Sequence, residues 1–310
     1  MRIRRFDPAP RAHGFGIVLP ENGTTALPVP ADAKSLVRRL DRYGRLGVAA
    51  AAAALDAAAA NPPAVLDPSW GVMVGSSLGC LESNRAHDRA TREQPLPEMR
   101  PALFVRTVSN SVTGDISIVW RLGGPSATFV SGWTAGVDAL IAAAIAIEEG
   151  RARLVLAGAV EAPGSPLADA AVAAGPCAAG RPGARVAAGP REAAAMALVA
   201  AGPKPGAPRL IAAGRGRDPE GCMSLRAAMA VLAPERLAAV VIANGVPPPL
   251  LARWRDEAGQ VPIVDLSKRT GELGAVGVFA ALAGTAAGSG LTLVVARGPA
   301  GETAVVAALR

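Results

Sequence analysis

Hydrophobic positions along this chain follow two rhythms, and the change from one to the other marks its central unit. Ser126 to Ser131 is a short β-favouring run, a corner of small residues follows at Ser131 and Gly132, and Ala135 to Ile147 is apolar on nearly every face. That last pattern is the one a fully buried helix shows. Strand, sharp corner and buried helix thus succeed one another between Gly124 and Gly150. Ahead of this unit, Phe15 to Leu19 reads as a strand, Ala33 to Ala60 as one long helix with a basic outer face and an alanine inner face, and Trp70 to Gly75 as a buried strand. The strand runs into the turn Ser76-Ser77-Leu78-Gly79; Pro97 to Pro101 reads as loop and Phe104 to Leu122 as helix around Asn110.

Beyond the central unit, Arg153 to Gly158 is a short buried strand. Ala162 to Arg191 is mostly Ala, Gly and Pro without periodicity, which reads as a loop-rich crossing between two halves. Ala194 to Ala200, Arg209 to Ala213 and Ala238 to Ala243 follow as strands, with Met223 to Val231 helical between the last two. Pro247 to Glu257 is a helix opened by prolines, Ile263 to Leu266 a strand, and Gly274 to Ala283 a second all-round apolar helix. Leu291 to Arg297 with Thr303 to Leu309 forms a closing hairpin. Two βα units, each centred on a buried helix, predict a pseudo-duplicated α/β sandwich, divided at about residue 165.

Composition narrows the function. A chain of 310 residues with 51% hydrophobic content buries a sizeable core. The formal charge of +7 reflects either an arginine-rich composition or a basic face for an acidic partner. Aromatic residues, at 3%, are too sparse to interleave with the basic ones, which argues against nucleic-acid binding. Cys80, Cys177 and Cys222 are far apart and odd in number, so the sequence points to free thiols in a reducing, cytoplasmic compartment. With only His13 and His87 as further soft ligands, no metal cluster has recognisable spacing. The run Phe15 to Leu19 is too short for a signal peptide, and the Ala-rich stretch Val48 to Ala60 carries Asp56 and stops at Pro62, so neither a leader nor a membrane span is expected.

Three stretches have the form of chemical motifs. GSSLG at Gly75 to Gly79 fits a nucleophile elbow, yet the only later histidine, His87, follows in a charged segment, so a Ser-His-Asp hydrolase is disfavoured and both histidines read as surface residues. Glu148 and Glu149 end the central helix and read as a solvated terminus. Lys268 to Glu272 opens the second buried helix, where it serves either as ordinary capping or as a place for a reacting group. At the exposed position of the corner stands Trp133, an indole that donates a hydrogen bond but attacks nothing.

Taken together, several stretches resemble the β-ketoacyl synthases of the thiolase fold. They are RRLDRYGRLGVAAAAAAL at Arg38 to Leu55, GVMVGSSLGCLES at Gly71 to Ser83, FVRTVSNSVTGDISI at Phe104 to Ile118, GPSATFVSGWTAGVDAL at Gly124 to Leu140 and RARLVLAGAVEA at Arg151 to Ala162. REAAAMALV at Arg191 to Val199, IANG at Ile242 to Gly245 and DLSKRTGELGAVG at Asp265 to Gly277 extend the resemblance more weakly. It implies a pseudo-duplicated α-β-α-β-α layered sandwich, with 1–165 as the first half, carrying a degenerate elbow, and 166–310 as an abbreviated second half. The family condenses an acyl group on a corner cysteine with malonyl on acyl carrier protein, aided by two histidines. By resemblance the cysteine position is Trp133, the histidine positions are Asn244 and Glu272, and the lysine is left to Ser267 or a shifted Lys268.

Each of these changes removes a requirement of condensation, either the thiolate or the imidazoles that stabilise an enolate. A synthase lacking the cysteine is similar to the chain-length factor of type II polyketide synthases, which pairs with a cysteine-bearing synthase and shapes the acyl tunnel; Asp138 fits that likeness. The resemblance implies a heterodimer, an acyl carrier protein as further partner and no cofactor. Thr128, Phe129 and Val130 fall at the subunit interface, and Ala102, Leu103 and Phe104 at the partner's acyl pocket. The alternatives are a homodimeric scaffold for acyl carrier protein and an acyltransferase using Ser131 or Thr134.

Overall fold

The computed structural model describes residues 2–19, 29–93, 95, 101–162, 192–202, 204, 206–217, 237–243, 248–266, 275–285, 290–297 and 302–309. In chain order these form β1 (Arg2–Arg5), β2 (Arg11–Val18), α1 (Lys34–Val37), α2 (Arg42–Ala57), β3 (Trp70–Gly75), α3 (Leu81–Glu93), α4 (Pro101–Phe104), α5 (Ser111–Trp120), β4 (Ser126–Phe129) and α6 (Ala135–Glu148). Then come β5 (Leu154–Glu161), β6 (Ala193–Ala200), β7 (Arg209–Arg217), β8 (Leu237–Ile242), α7 (Pro248–Ala258), β9 (Ile263–Asp265), α8 (Gly277–Thr285), β10 (Leu291–Arg297) and β11 (Glu302–Leu309).

The strands run β4-β3-β5-β6-β2-β7-β11-β10-β8-β9, with β1 paired to β7. This order is the same sequence of pairings twice over. β4, β3 and β5 are parallel neighbours followed by antiparallel β6 and β2. β9, β8 and β10 are parallel neighbours followed by antiparallel β11 and β7. The duplication that two buried helices predicted is therefore present in the strands as well.

Alternation along the strands separates the layers. Val155, Ala157 and Ala159 of β5 face α6 in one core, while Leu156 and Val160 face α2 and α5 in another. Likewise Ala304, Val306 and Ala308 of β11 join the central core, and Val305 and Ala307 join Trp254 of α7 on the outer side. Helices α6 and α8 thus form a central layer between the two strand runs, flanked by α2 with α5 on one outer face and α7 on the other. Strands buried on both faces read as continuous apolar runs, which is why β6 is AAAMALVA.

Two expectations need correction. The long helix over 33–60 is broken: α1 ends at Val37, and α2 starts afresh behind Asp41, whose carboxylate accepts the Gly44 amide at 2.8 Å as an N-cap. The charged segment after Cys80 is helix α3, in which only Ala90 is buried, so charge dominates its sequence pattern. The helix expected from Phe104 is the single turn α4, then a bend, then α5 beginning after Asn110. The crossing after Ala162 and the helix expected at 223–231 lie outside the described residues.

Close approach of the central helices rests on glycine. A methyl group at Gly136, in the first turn of α6, would sit inside van der Waals contact of the Ala275 carbonyl oxygen and against Val278 and Phe279 of α8. Gly136→Ala should therefore lower stability by about 2 kcal/mol or more in chemical denaturation, because backbone must move to admit it. Gly114→Ala in α5 meets nothing within 4 Å and should be neutral or gain up to about 1 kcal/mol from helix propensity.

Candidate functional site

Helix α6 starts where β4 ends. Gly132 turns the chain at φ 69°, and a 3₁₀ turn over Gly132–Thr134 leads into the helix. Trp133 is the middle residue of that turn. It is half-buried rather than the exposed tip expected from sequence, because the turn packs beside β10 and β11 of the other half. The Ser131 hydroxyl donates to Asp138 Oδ2, and Arg215 of β7 donates to Oδ1 of the same carboxylate at 2.8 Å. Asp138 is 5% exposed. Thr134 is buried, and its hydroxyl donates to the Ser131 carbonyl at 3.2 Å. The corner thus presents an indole and two engaged hydroxyls.

Beside it lies a second cluster, around Glu161 at the end of β5. This side chain is fully buried. Its Oε1 accepts the Ser77 amide at 2.7 Å and the Ala275 amide at 3.0 Å, and its Oε2 accepts the Ser76 hydroxyl at 3.4 Å. The Ala275 amide is also 3.2 Å from Ser77 Oγ. Burial pushes the Glu161 carboxyl up to about 7, against the hydrogen bonds from Ser77, Ala275 and Ser76 that favour its charged form. Burial likewise holds the Tyr43 phenol, next to Ser76, well above its ordinary range. The motif GSSLG is therefore not a hydrolase elbow but a turn clasped to the second half through Glu161. An acid ending the apolar strand RLVLAGAVE was the available signal for this residue, since a carboxylate at a buried strand end must find donors.

A third group borders the corner. Gly79, at φ 61°, lies against Ser109 and near Val130, bringing the turn after β3, the bend after α4 and the end of β4 together. Of the residues expected at the partner's pocket, Ala102 is exposed, Leu103 half-buried and Phe104 63% exposed. Val105, Val108 and Val130 are exposed too. Thr128 is hydrogen-bonded to Thr113 of α5, and Thr128 and Phe129 are half-buried in β4, which is the edge of the sheet.

The histidines stand apart from the corner's polar groups. His13 Nε2 lies 3.1 Å from the Gly202 carbonyl oxygen, with burial lowering its pKa, and His87 meets the Phe104 ring edge-on at 5.9 Å between centroids. Both are half-buried rather than surface side chains. Glu148 also departs from expectation, accepting Arg4 at 2.5 Å and the Asp7 amide at 3.2 Å and so fastening the N-terminal strand. Asn244, Ser267, Lys268 and Glu272 lie outside the described residues. Among the described residues, no group of three His, Cys, Asp or Glu side chains is placed to hold a metal ion, and no helix is long and apolar enough to cross a membrane.

Residues 17–198 match the family model for the β-ketoacyl synthase N-terminal domain. The chain belongs to the β-ketoacyl synthase family. It is 32% identical over 138 residues to a putative polyketide β-ketoacyl synthase 1 of Streptomyces virginiae, covering 42% of this chain and 32% of that one. It is 30% identical over 134 residues to 3-oxoacyl-[acyl-carrier-protein] synthase 2 of Vibrio harveyi, covering 43% and 32%. The aligned part of the chain thus spans about a third of the length of these relatives. Among solved structures, a chain of a type II PKS acyl-carrier protein in complex with its ketosynthase bound to the hexaketide matches with TM-score 0.78 at 16% identity, covering 99% of both chains. The ishigamide ketosynthase/chain length factor matches with TM-score 0.69 at 20% identity, covering 97% and 99%, and a β-ketoacyl synthase from Burkholderia phymatum with 0.73 at 18%, covering 97% and 99%. At such identities the likeness is one of fold, the layered α-β-α-β-α thiolase-like sandwich.

The raised pKa of Glu161 gives this synthase-family chain a pH signature. Between pH 4.5 and about 7 the folded protein keeps a proton that the unfolded chain has lost, so stability falls as pH rises through that window. Glu161→Gln, which does not titrate, should remove a decline of about 3 kcal/mol from denaturation curves recorded across it.

Proposed function

We propose that this chain is a non-catalytic, chain-length-factor-like partner of an active β-ketoacyl synthase, shaping the acyl tunnel in polyketide or polyene elongation. The observation that carries this reading is the half-buried Trp133 in the turn before α6, where resemblance implies the cysteine. An indole cannot form the thioester on which condensation depends. The Cys80 thiol is buried on the turn after β3, at 3.8 Å from Asn84 and from Ser109, and does not replace it. Neither histidine is placed to stabilise an enolate at the corner.

The surface supports pairing. Strand β4 is a sheet edge, and such edges are covered in stable proteins. Thr128, Phe129 and Val130 form the proposed interface with a cysteine-bearing synthase. The apolar turn with Leu103 and Phe104 reaches into the partner's acyl pocket and closes the far end of its tunnel. Exposed Lys34, Arg38, Arg39 and Arg45 gather where α1 hands over to α2 and offer a basic face to an acidic acyl carrier protein. The acyltransferase alternative is less favoured because both hydroxyls at the corner are engaged and neither meets an imidazole.

Purified alone, the chain should not condense malonyl thioesters, and Trp133→Cys should not restore that activity, since the imidazoles are missing as well. Co-expressed with a cysteine-bearing synthase, it should elute as a heterodimer; a stable homodimer indifferent to the synthase would support the scaffold alternative instead. In the heterodimer, Leu103→Ala or Phe104→Ala should lengthen the product by one or more two-carbon units, read by mass spectrometry.

A further inference from the structure

The turn that carries Leu103 and Phe104 is too exposed to hold its own position by burial, yet its conformation is well defined. Arg106 and Thr107 donate backbone hydrogen bonds to the carbonyls of Leu103 and Phe104 at 3.1 and 3.0 Å, and the Thr107 hydroxyl donates to the Phe104 carbonyl at 2.7 Å. These bonds shape the turn without attaching it to anything. Attachment comes from Arg106, whose guanidinium donates to Asp115 on α5. The two side chains are 19% and 7% exposed. Asp115 in turn lies against the backbone of Gly44 in the first turn of α2. The cap residue of that helix, Asp41, also accepts the Ser83 hydroxyl of α3 at 2.7 Å. Helix α3 closes the circuit, because its His87 meets the ring of Phe104. The apolar turn is thus braced on one side by α3 and on the other by a buried ion pair reaching α5 and α2.

We propose that Arg106, through Asp115, is the positioning residue that sets how far Leu103 and Phe104 project from this chain, and hence the product length the pair of subunits selects. The inference rests on the tunnel-closing role given above. A buried pair broken from one side leaves a desolvated charge, so loss of Arg106 releases the turn rather than trimming it. The pair touches no acyl chain itself. Its effect is on the spread of product lengths rather than on the rate of condensation.

Two measurements test this. In the isolated chain, Arg106→Leu should speed amide exchange at Arg106 and Thr107 about tenfold or more, and Arg106→Lys should leave most of the protection. In the heterodimer, Arg106→Leu should turn one dominant product into two or more differing by two-carbon units, with total turnover within about twofold of the parent and Arg106→Lys restoring the narrow distribution. Asp115→Asn, which keeps the shape of the side chain, reads the same outcome should Arg106→Leu not fold. If Phe104→Ala shifts product length but neither Arg106→Leu nor Asp115→Asn alters exchange or distribution, the positioning role is overturned while the tunnel role stands. If Phe104→Ala leaves length unchanged, the tunnel role fails and the length-setting claim falls with it.

Discussion

At Gly136 the first buried helix approaches the Ala275 carbonyl closely enough that a methyl group has no room, and at Glu161 a buried carboxylate takes the amide of that same residue. These two contacts join the halves of the molecule through the two backbone groups of one residue. Everything between the strand runs follows from that spacing. Alanine-rich α6 and α8 share a layer thin enough for alternate residues of β5 and β11 to meet in one core. Carboxylate burial is expensive, and the backbone amides around Glu161 offset it only in part, which is why its protonation equilibrium moves towards neutrality.

Architecture and chemistry separate cleanly in this chain. Among the described residues the layered fold depends on some seventy buried apolar positions, most of them on the central strands and on α2, α5, α6 and α8, whereas condensation as the resemblance implies it depends on a thiol and two imidazoles. That packing does not depend on the identity of the corner residue, whose turn lies beside β10 and β11. A fold by itself therefore does not fix the reaction. What the corner keeps is a polar scaffold, with Ser131 and Arg215 sharing Asp138 across the two halves.

Among the described residues, the surface carries an edge strand, β4, an apolar turn with exposed Phe104 and a cluster of basic side chains at the start of α2, the first two being liabilities in a solitary protein. In a subunit they are points of attachment. The braces around Arg106 and His87 show that the turn is not loose surface but a shaped projection held from two directions.

How much of this was legible in the residues can be judged element by element. Apolar runs bounded by turn residues specified β3, β5, β6, β10 and both buried helices, because burial on every side leaves no periodic signal to misread. The indole at position 133 likewise shows from the sequence that this position offers no nucleophile. Side chains that work by reaching distant partners were hidden. Glu161 bonds residues 84 and 114 positions away, Arg215 meets Asp138 from 77 away, and Glu148 fastens Arg4. The burial of Trp133 was decided by two strands of the other half, whereas the break at Asp41 rests on a cap to Gly44 three residues on, a local signal. Local sequence determines most of the helix and strand segments and which side chains stand at the corner; only the folded chain decides which charges meet, since that depends on contacts between residues with no fixed separation along it.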